Sequence, residues 1–194
     1  AAYRFSALID RHGFQIAPEE QQWNEHTVAE IIELNSSFKL NGINISYNNQ
    51  GSSCALFENT YKLRQLIGSE YIELSDTQEI SNMFMNCGKD NGISDFTLNL
   101  SGLSCINTKK ALSVFENCNA NTIILSNFDT QSITNANKMF KGCKVRTIYV
   151  GAATWDLTNA SKTEIFTNCS NIVGGNGTTY DSNHTDYSYA HIDG

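Results

Sequence analysis

Six cysteines, Cys54, Cys87, Cys105, Cys118, Cys143 and Cys169, and four histidines, His12, His26, His184 and His191, are the residues best suited to nucleophilic, redox or metal chemistry. Cys87, Cys118, Cys143 and Cys169 occupy one slot of a repeated phrase. A column of thiols could hold a metal or close disulfides between neighbours. Adjacent strands lie about 4.8 Å apart, within the Cα reach of a disulfide. Equivalent side chains in a ladder point in parallel, however, and a disulfide needs them to converge. Thr60 fills the same slot in the first phrase, and a free Cys behaves as a small buried hydrophobe. The spacing therefore predicts buried free thiols. Cys54 and Cys105 fall off the ladder and have no assigned partner.

The tail gathers Asp181, His184, Asp186, His191 and Asp193, a possible set of oxygen and nitrogen ligands. Nearby, 174-GGNG-177 is superficially similar to the calcium-binding glycine-rich nonapeptide. That motif needs an Asp where Thr179 stands, and it works in stacked copies. The expectation is that these short polar side chains bond the backbone of turns, with no metal and no cofactor. The sequence contains no H-E-x-x-H, no G-x-S-x-G elbow and no P-loop. A thiol–imidazole pair between Cys105 and a tail His has no spacing in its favour. A hydrolase would need His184, Asp186 and His191 to converge in a cleft. The expectation is that the protein is not an enzyme.

The elements that position these residues follow from a repeat. A pair of apolar residues ending in Phe, two variable residues, then Cys or Thr recurs as 56-LFENT-60, 83-MFMNC-87, 114-VFENC-118, 139-MFKGC-143 and 165-IFTNC-169. The phenylalanines Phe57, Phe84, Phe115, Phe140 and Phe166 are spaced 27, 31, 25 and 26 residues apart. A second landmark is an alternating stretch closing on an aliphatic and a small residue: 71-YIELS-75, 96-FTLNLS-101, 122-TIILS-126 and 147-TIYVG-151. Its period of two predicts strands, with Ile72, Leu74, Ile123 and Leu125 inward. The second half of each unit carries a turn signal, with Asp129 and Asp156 as natural N-caps. A helical or 3₁₀ stretch follows, such as 133-ITNANKMF-140. Such a period of one strand and one short helix predicts an α/β fold: a right-handed leucine-rich-repeat solenoid of four to five units. The regularly spaced phenylalanines read as core rather than as a ligand platform.

Both ends depart from the repeat. Residues 1–50 are expected to form an N-terminal cap with a degenerate first unit. Within them 19-EEQQWNEHTVAEIIEL-34 reads as an amphipathic helix that follows Pro18 and buries Trp23, Val28, Ile31 and Ile32. Residues 51–169 form the repeat array, and residues 170–194 an irregular C-terminal cap. Asn (23), Ser (19) and Thr (16) supply the polarity of a chain in which only 17% of residues are charged. This suits short strands and turns whose side chains bond their own backbone. The single Pro and the low charge argue against disorder. Lys and Arg number 13 against 20 Asp and Glu, a net charge of −7 without a basic block, so nucleic acid is not an expected partner. The longest apolar run, 54-CALF-57, is far below the roughly 18 residues of a membrane span.

The phrase 125-LSNFDTQSITNANKMFKGC-143 resembles the bacterial surface leucine-rich-repeat family often called BspA-like. Its units read as a Leu-Ser strand, a Phe-Asp-Thr turn, a Thr-Asn stretch and Met-Phe-x-x-Cys. The tail 172-IVGGNGTTYDSNHTDYSYAHIDG-194 resembles the end of the last repeat in such proteins. The resemblance covers residues 70–194, with departures at 74-LSDTQEISNMF-84, which is shortened, and 101-SGLSCINTKKALSVF-115, which lacks the Phe-Asp-Thr turn. It implies a secreted or cell-surface protein of host-associated bacteria with a role in adhesion or binding. It carries over no catalytic residue. The outward strand positions Tyr71, Glu73, Asn99, Ile124 and Tyr149 are then the candidate contacts with a host or bacterial surface protein or glycan. Apolar residues in an exposed stripe mark contacts, although Thr, Tyr and Ile also favour strands for their own sake. The alternative is a structural spacer or self-associating stalk.

Overall fold

The computed structural model describes residues 2–4, 30–35, 37–39, 57–75 and 77–185. Its strands are short: β1 (Ala2–Arg4), β2 (Ile31–Glu33), β3 (Phe38–Lys39), β4 (Gln65–Ile67), β5 (Ile72–Glu73), β6 (Thr97–Asn99), β7 (Thr122–Leu125) and β8 (Thr147–Val150). They form three small sheets in the orders β1-β2-β4, β3-β5 and β6-β7-β8. Every pairing is parallel. In the third sheet the register is Thr97 with Thr122 with Thr147, Leu98 with Ile123 with Ile148, and Asn99 with Ile124 with Tyr149. Successive repeats therefore lie side by side with equivalent residues aligned.

The phenylalanine segments are chains of turns tied to the neighbouring repeat. In residues 80–87 the N–H groups of Met83, Met85 and Cys87 donate to the carbonyls of Ile80, Asn82 and Phe84, at 3.1, 3.0 and 3.1 Å. The intervening N–H groups of Asn82, Phe84 and Asn86 donate to Leu112, Val114 and Glu116 of the next repeat, at 2.9, 2.8 and 2.9 Å. The same alternation carries Ser113, Phe115 and Asn117 onto Asn137, Met139 and Lys141. Residues two before and two after Phe84, Phe115, Phe140 and Phe166 have positive φ: Asn82 and Asn86, Ser113 and Asn117, Lys138 and Gly142, Glu164 and Asn168. A type II turn demands this of its third residue. Asn and Gly tolerate it best, which accounts for Asn59, Asn82, Asn86, Asn117 and Asn168. Gly142 has a second reason: a Cβ there would collide with the Asn117 side chain.

These findings correct the expected fold class. The described residues form small parallel sheets joined by turns and contain no α-helix; the helical element present is a single 3₁₀ turn at Ser69–Tyr71. The architecture is accordingly not the α/β leucine-rich-repeat solenoid with a helical N-terminal cap that the periodicity suggested. The stretch 133–140 fails as a helix because Lys138 has a φ of 58° and alternate amides bond the neighbouring repeat instead of continuing an i−4 ladder. Asp129 and Asp156 cap turns rather than helices: each accepts the N–H two residues on, from Gln131 at 2.9 Å and Thr158 at 2.8 Å. The proposed N-terminal helix over 19–34 is contradicted at its end, where Ile31–Glu33 is strand β2, paired with β1 and β4. Residues 19–29 lie outside the described ones, as do Trp23 and Val28.

The core runs through the repeats as stacked columns. Adjacent rings of Phe57, Phe84, Phe115, Phe140 and Phe166 have centroids 5.1, 5.6, 5.2 and 5.5 Å apart and are nearly parallel, at 13°, 10°, 7° and 4°. Offset stacking in this range adds to the burial energy. Leu98, Leu100, Ile123 and Leu125 are fully buried, whereas Ile148 and Val150 of the edge strand β8 are half-buried. Residues 166–185 close over this end, with Phe166 donating to the Thr185 carbonyl at 2.9 Å and Val173 bridging Thr179. Phe115 has a stacked ring on each side, while Phe166 has one. Phe115→Ala is expected to cost about 3–5 kcal/mol, and Phe166→Ala distinctly less. Urea unfolding of the two variants measures the difference.

Candidate functional site

The outward strand face is built by register. On β6, β7 and β8 one outward row is Thr97, Thr122 and Thr147, and the next is Asn99, Ile124 and Tyr149. Alternation along each strand sends Leu98 and Ile123 between them into the core. Tyr149 is 57% exposed, Asn99 is exposed and Ile124 is half-exposed. Asn99 is held in place, since its Oδ1 accepts the N–H of Ser101 at 3.0 Å. Three of the five candidate contacts thus share one row.

Tyr71 and Glu73 do not join it. Tyr71 ends the 3₁₀ turn and packs half-buried against the core. Glu73 lies on β5, paired with Lys39 of β3 and bridged to Ser104. The strand equivalent to β6 is β4. The N–H groups of Arg64 and Gln65 converge on the Glu30 carbonyl at 2.8 and 3.2 Å. Asn121 and Thr122 converge in the same way on Phe96, and Arg146 and Thr147 on Asn121. Strand β4 also lies against β6. Ile67, 41% exposed, therefore takes the level of Asn99, Ile124 and Tyr149. Alternation in 71-YIELS-75 hid this residue from sequence reading. The available signal was distance from the phenylalanine: Ile123 and Ile148 follow Phe115 and Phe140 by 8 residues, and nine residues after Phe57 comes Leu66.

The cysteine ladder forms as expected. Cys87, Cys105, Cys118, Cys143 and Cys169 are buried free thiols; Cys54 lies outside the described residues. Backbone bonds run from slot to slot, with Gly88 donating to Thr60 at 2.9 Å, Asn119 to Cys87 at 2.9 Å and Lys144 to Cys118 at 3.1 Å. Burial raises the Cys87 and Cys143 thiols well above the ordinary range. Burial also pushes Cys169 up to about 12, and its Sγ donates to the Phe140 carbonyl at 2.7 Å. Off the ladder, Cys105 donates to the Asp129 carbonyl at 3.1 Å, and burial followed by the nearby Asp129 charge raises its pKa far above normal. Cys87, Cys105, Cys143 and Cys169 are therefore poor nucleophiles.

In the tail, Asp181 repeats the turn of Asp129 and Asp156. Its Oδ1 accepts the Asn183 N–H at 2.8 Å, and its Oδ2 meets His184 Nδ1 at 2.8 Å. Asp186, His191 and Asp193 lie outside the described residues, so the convergence a hydrolase or metal site would need rests on residues the structure does not describe. Among the described residues, no group of three His, Cys, Asp or Glu could hold a metal. No helix among them is long and apolar enough to cross a membrane.

Two of these turn carboxylates carry a pH dependence. The hydroxyl and N–H of Thr158 hold Asp156 below the usual carboxylate range, and the Asn183 N–H and then His184 do the same for Asp181. A folded pKa below the unfolded value near about 3.9 stabilises the fold above that pH. The contribution is lost as pH falls through the folded pKa. Thermal melts are expected to shift downward below pH about 4. Asp156→Asn keeps the turn acceptor and is expected to flatten that acid limb; an unchanged limb would exclude Asp156 as its source.

No curated protein and no solved structure matches the chain. One family model matches twice, over residues 30–150 and residues 78–187, and its description is "Mycoplasma protein of unknown function, DUF285". The two matches start 48 residues apart, close to two repeat lengths, in keeping with a family model that itself spans several repeats. Together they run from residue 30 to residue 187, most of the sequence, and the chain belongs to this family.

Proposed function

We propose that the protein is a non-enzymatic binding module at a bacterial surface, secreted or cell-attached, of the BspA-like kind. The outward strand row makes the contact. The observation that carries this reading is the alignment of Asn99, Ile124 and Tyr149 at one level of β6, β7 and β8, with Tyr149 57% exposed; Ile67, 41% exposed on neighbouring β4, extends the row. Apolar side chains exposed in an otherwise polar, Thr-rich face mark a contact surface. Tyr and Ile supply rigid apolar area, and Asn supplies polar selectivity. The partner class is a host or bacterial surface protein or glycan. The Tyr71 and Glu73 positions sit beside this face rather than in it.

A spacer or self-associating stalk is the second reading. Parallel, in-register repeats suit a spacer. The test is a binding panel of matrix proteins, mucin glycans and wall polysaccharides on the purified chain. Saturable binding to one class is expected. The triple variant Ile67→Ser, Ile124→Ser, Tyr149→Ser is expected to weaken it at least about tenfold, the loss of some 1.4 kcal/mol or more. Thermal stability should change little, because these side chains lie outside the core. Unchanged affinity in that variant would place the contact elsewhere. Absence of binding throughout, with association detected in light scattering, would favour the stalk.

A further inference from the structure

Asn-Gly dipeptides begin at Asn41, Asn91 and Asn176; the first lies outside the described residues. A glycine leaves the amide nitrogen that follows an asparagine unshielded, as intramolecular attack on the side-chain amide requires. The other two dipeptides have opposite surroundings. Asn91 is 2% exposed. Its Nδ2 donates to the Leu63 carbonyl at 2.8 Å, and its Oδ1 accepts the Ile93 N–H at 3.0 Å. The Asn119 amide reaches the same oxygen at 3.4 Å. Asn176 stands in the turn of a hairpin in which residues 175–179 are all exposed. The hairpin carries the Val173–Thr179 bridge, with Gly174 donating to Thr178 at 2.8 Å and Gly177 to Gly174 at 2.9 Å. A Cβ built on Gly177 would meet nothing within 4 Å. We propose that Asn176 is a site of spontaneous self-modification, converted to aspartate and isoaspartate, and that the fold protects Asn91 from the same reaction.

Water is the only co-reactant. The Gly177 nitrogen gives up its proton and attacks Asn176 Cγ. The new C–N bond closes a succinimide ring, the Cγ–Nδ2 bond breaks, and Nδ2 leaves with the proton as ammonia. Water then opens the ring. Cleavage of the bond from nitrogen to Cγ gives aspartate; cleavage of the bond from nitrogen to the main-chain carbonyl carbon gives isoaspartate. Either way an amide is exchanged for an acid without redox change. The Gly177 N–H must first leave the Gly174 carbonyl, so the rate follows opening of the turn. That opening is local, because the turn is exposed and residues 174–178 carry no apolar side chain. Asn91 faces a larger barrier. Its Cγ can meet the Gly92 nitrogen only after the bonds to Leu63 and Ile93 break, which strips the buried Leu63 carbonyl of this partner. An isoaspartate adds a carbon to the main chain of the turn and displaces Gly177 and Thr178 from Gly174. The first arm of this hairpin is tied to the residue before β8, with Val173 donating to the Arg146 carbonyl at 2.9 Å.

The site is independent of the strand-face reading. The test is incubation of the whole chain at mildly alkaline pH, folded and, in parallel, unfolded in guanidinium chloride. Digestion and mass spectrometry then locate each converted asparagine and distinguish aspartate from isoaspartate. In the folded chain Asn176 is expected to react at least about tenfold faster than Asn91. In the unfolded chain the two are expected to react at similar rates, since each is then an Asn-Gly in an open chain. Equal rates at the two sites in the folded chain would overturn the proposal. So would an Asn176 that reacts in denaturant and stays intact in the folded chain. Gly177→Asn tests the route. Asn tolerates the φ of 86° at this position, open space surrounds the new Cβ, and the side chain shields the attacking nitrogen. The rapid reaction at Asn176 is expected to be lost in this variant, with circular dichroism showing that the fold is kept. An undiminished rate in a folded G177N would contradict attack by the Gly177 nitrogen and overturn the proposal.

Discussion

Every second amide of the phenylalanine segments donates to the neighbouring repeat, and the rest of the structure depends on this cross-repeat bond. It sets the distance between repeats at that of paired strands. Once that distance is set, equivalent residues must stack. Phe57, Phe84, Phe115, Phe140 and Phe166 become one column of rings. Thr60 and the four ladder cysteines become another. The alternating amides that close local turns require a positive φ at the third residue of each, which is where Asn82, Asn86, Asn117 and Asn168 stand. These Asn positions are therefore a consequence of how the backbone spends its donors.

The same bond explains why the outward face is regular. Parallel pairing in register carries Asn99, Ile124 and Tyr149 to one level, and the position of β4 carries Ile67 there too. Side chains on this row lie outside the core, which the inward positions Leu66, Leu98 and Ile123 supply. Residue types on the row can vary with what it contacts, while the columns beneath it cannot. The thiol column obeys the stricter rule. Its side chains are small and enclosed, and burial raises the Cys87, Cys143 and Cys169 thiols above their ordinary range.

Much of this was legible in the amino-acid sequence. The spacing of the phenylalanines placed the ring column, the shared slot of Cys87, Cys118, Cys143 and Cys169 predicted buried free thiols, and period-two alternation located β6, β7 and β8. The helical expectation for 133-ITNANKMF-140 failed for a specific reason. Its apolar positions have the spacing of a helix, but Lys138 adopts a positive φ that no propensity scale would assign to it. The amphipathic pattern ending at Ile31–Glu33 misled in the same way, because pairing with β1 and β4 overrode it. Ile67 was missed because 71-YIELS-75 alternates more convincingly than the three-residue strand Gln65–Ile67. Ile72–Glu73 does form strand β5, with Ile72 and Leu74 inward, but in another sheet, so Tyr71 and Glu73 do not share the row of Asn99, Ile124 and Tyr149.

Native-state hydrogen exchange of the turn amides tests the central claim most directly. The Phe84, Phe115 and Phe140 N–H groups donate across repeats at 2.8, 2.8 and 3.0 Å. If those bonds hold the repeats together, these amides exchange only by global unfolding, as slowly as Ile123 in the middle strand of its sheet. Fast exchange of the three, with Ile123 still protected, would show that the sheets stand without the cross-repeat turns, and the account would be wrong.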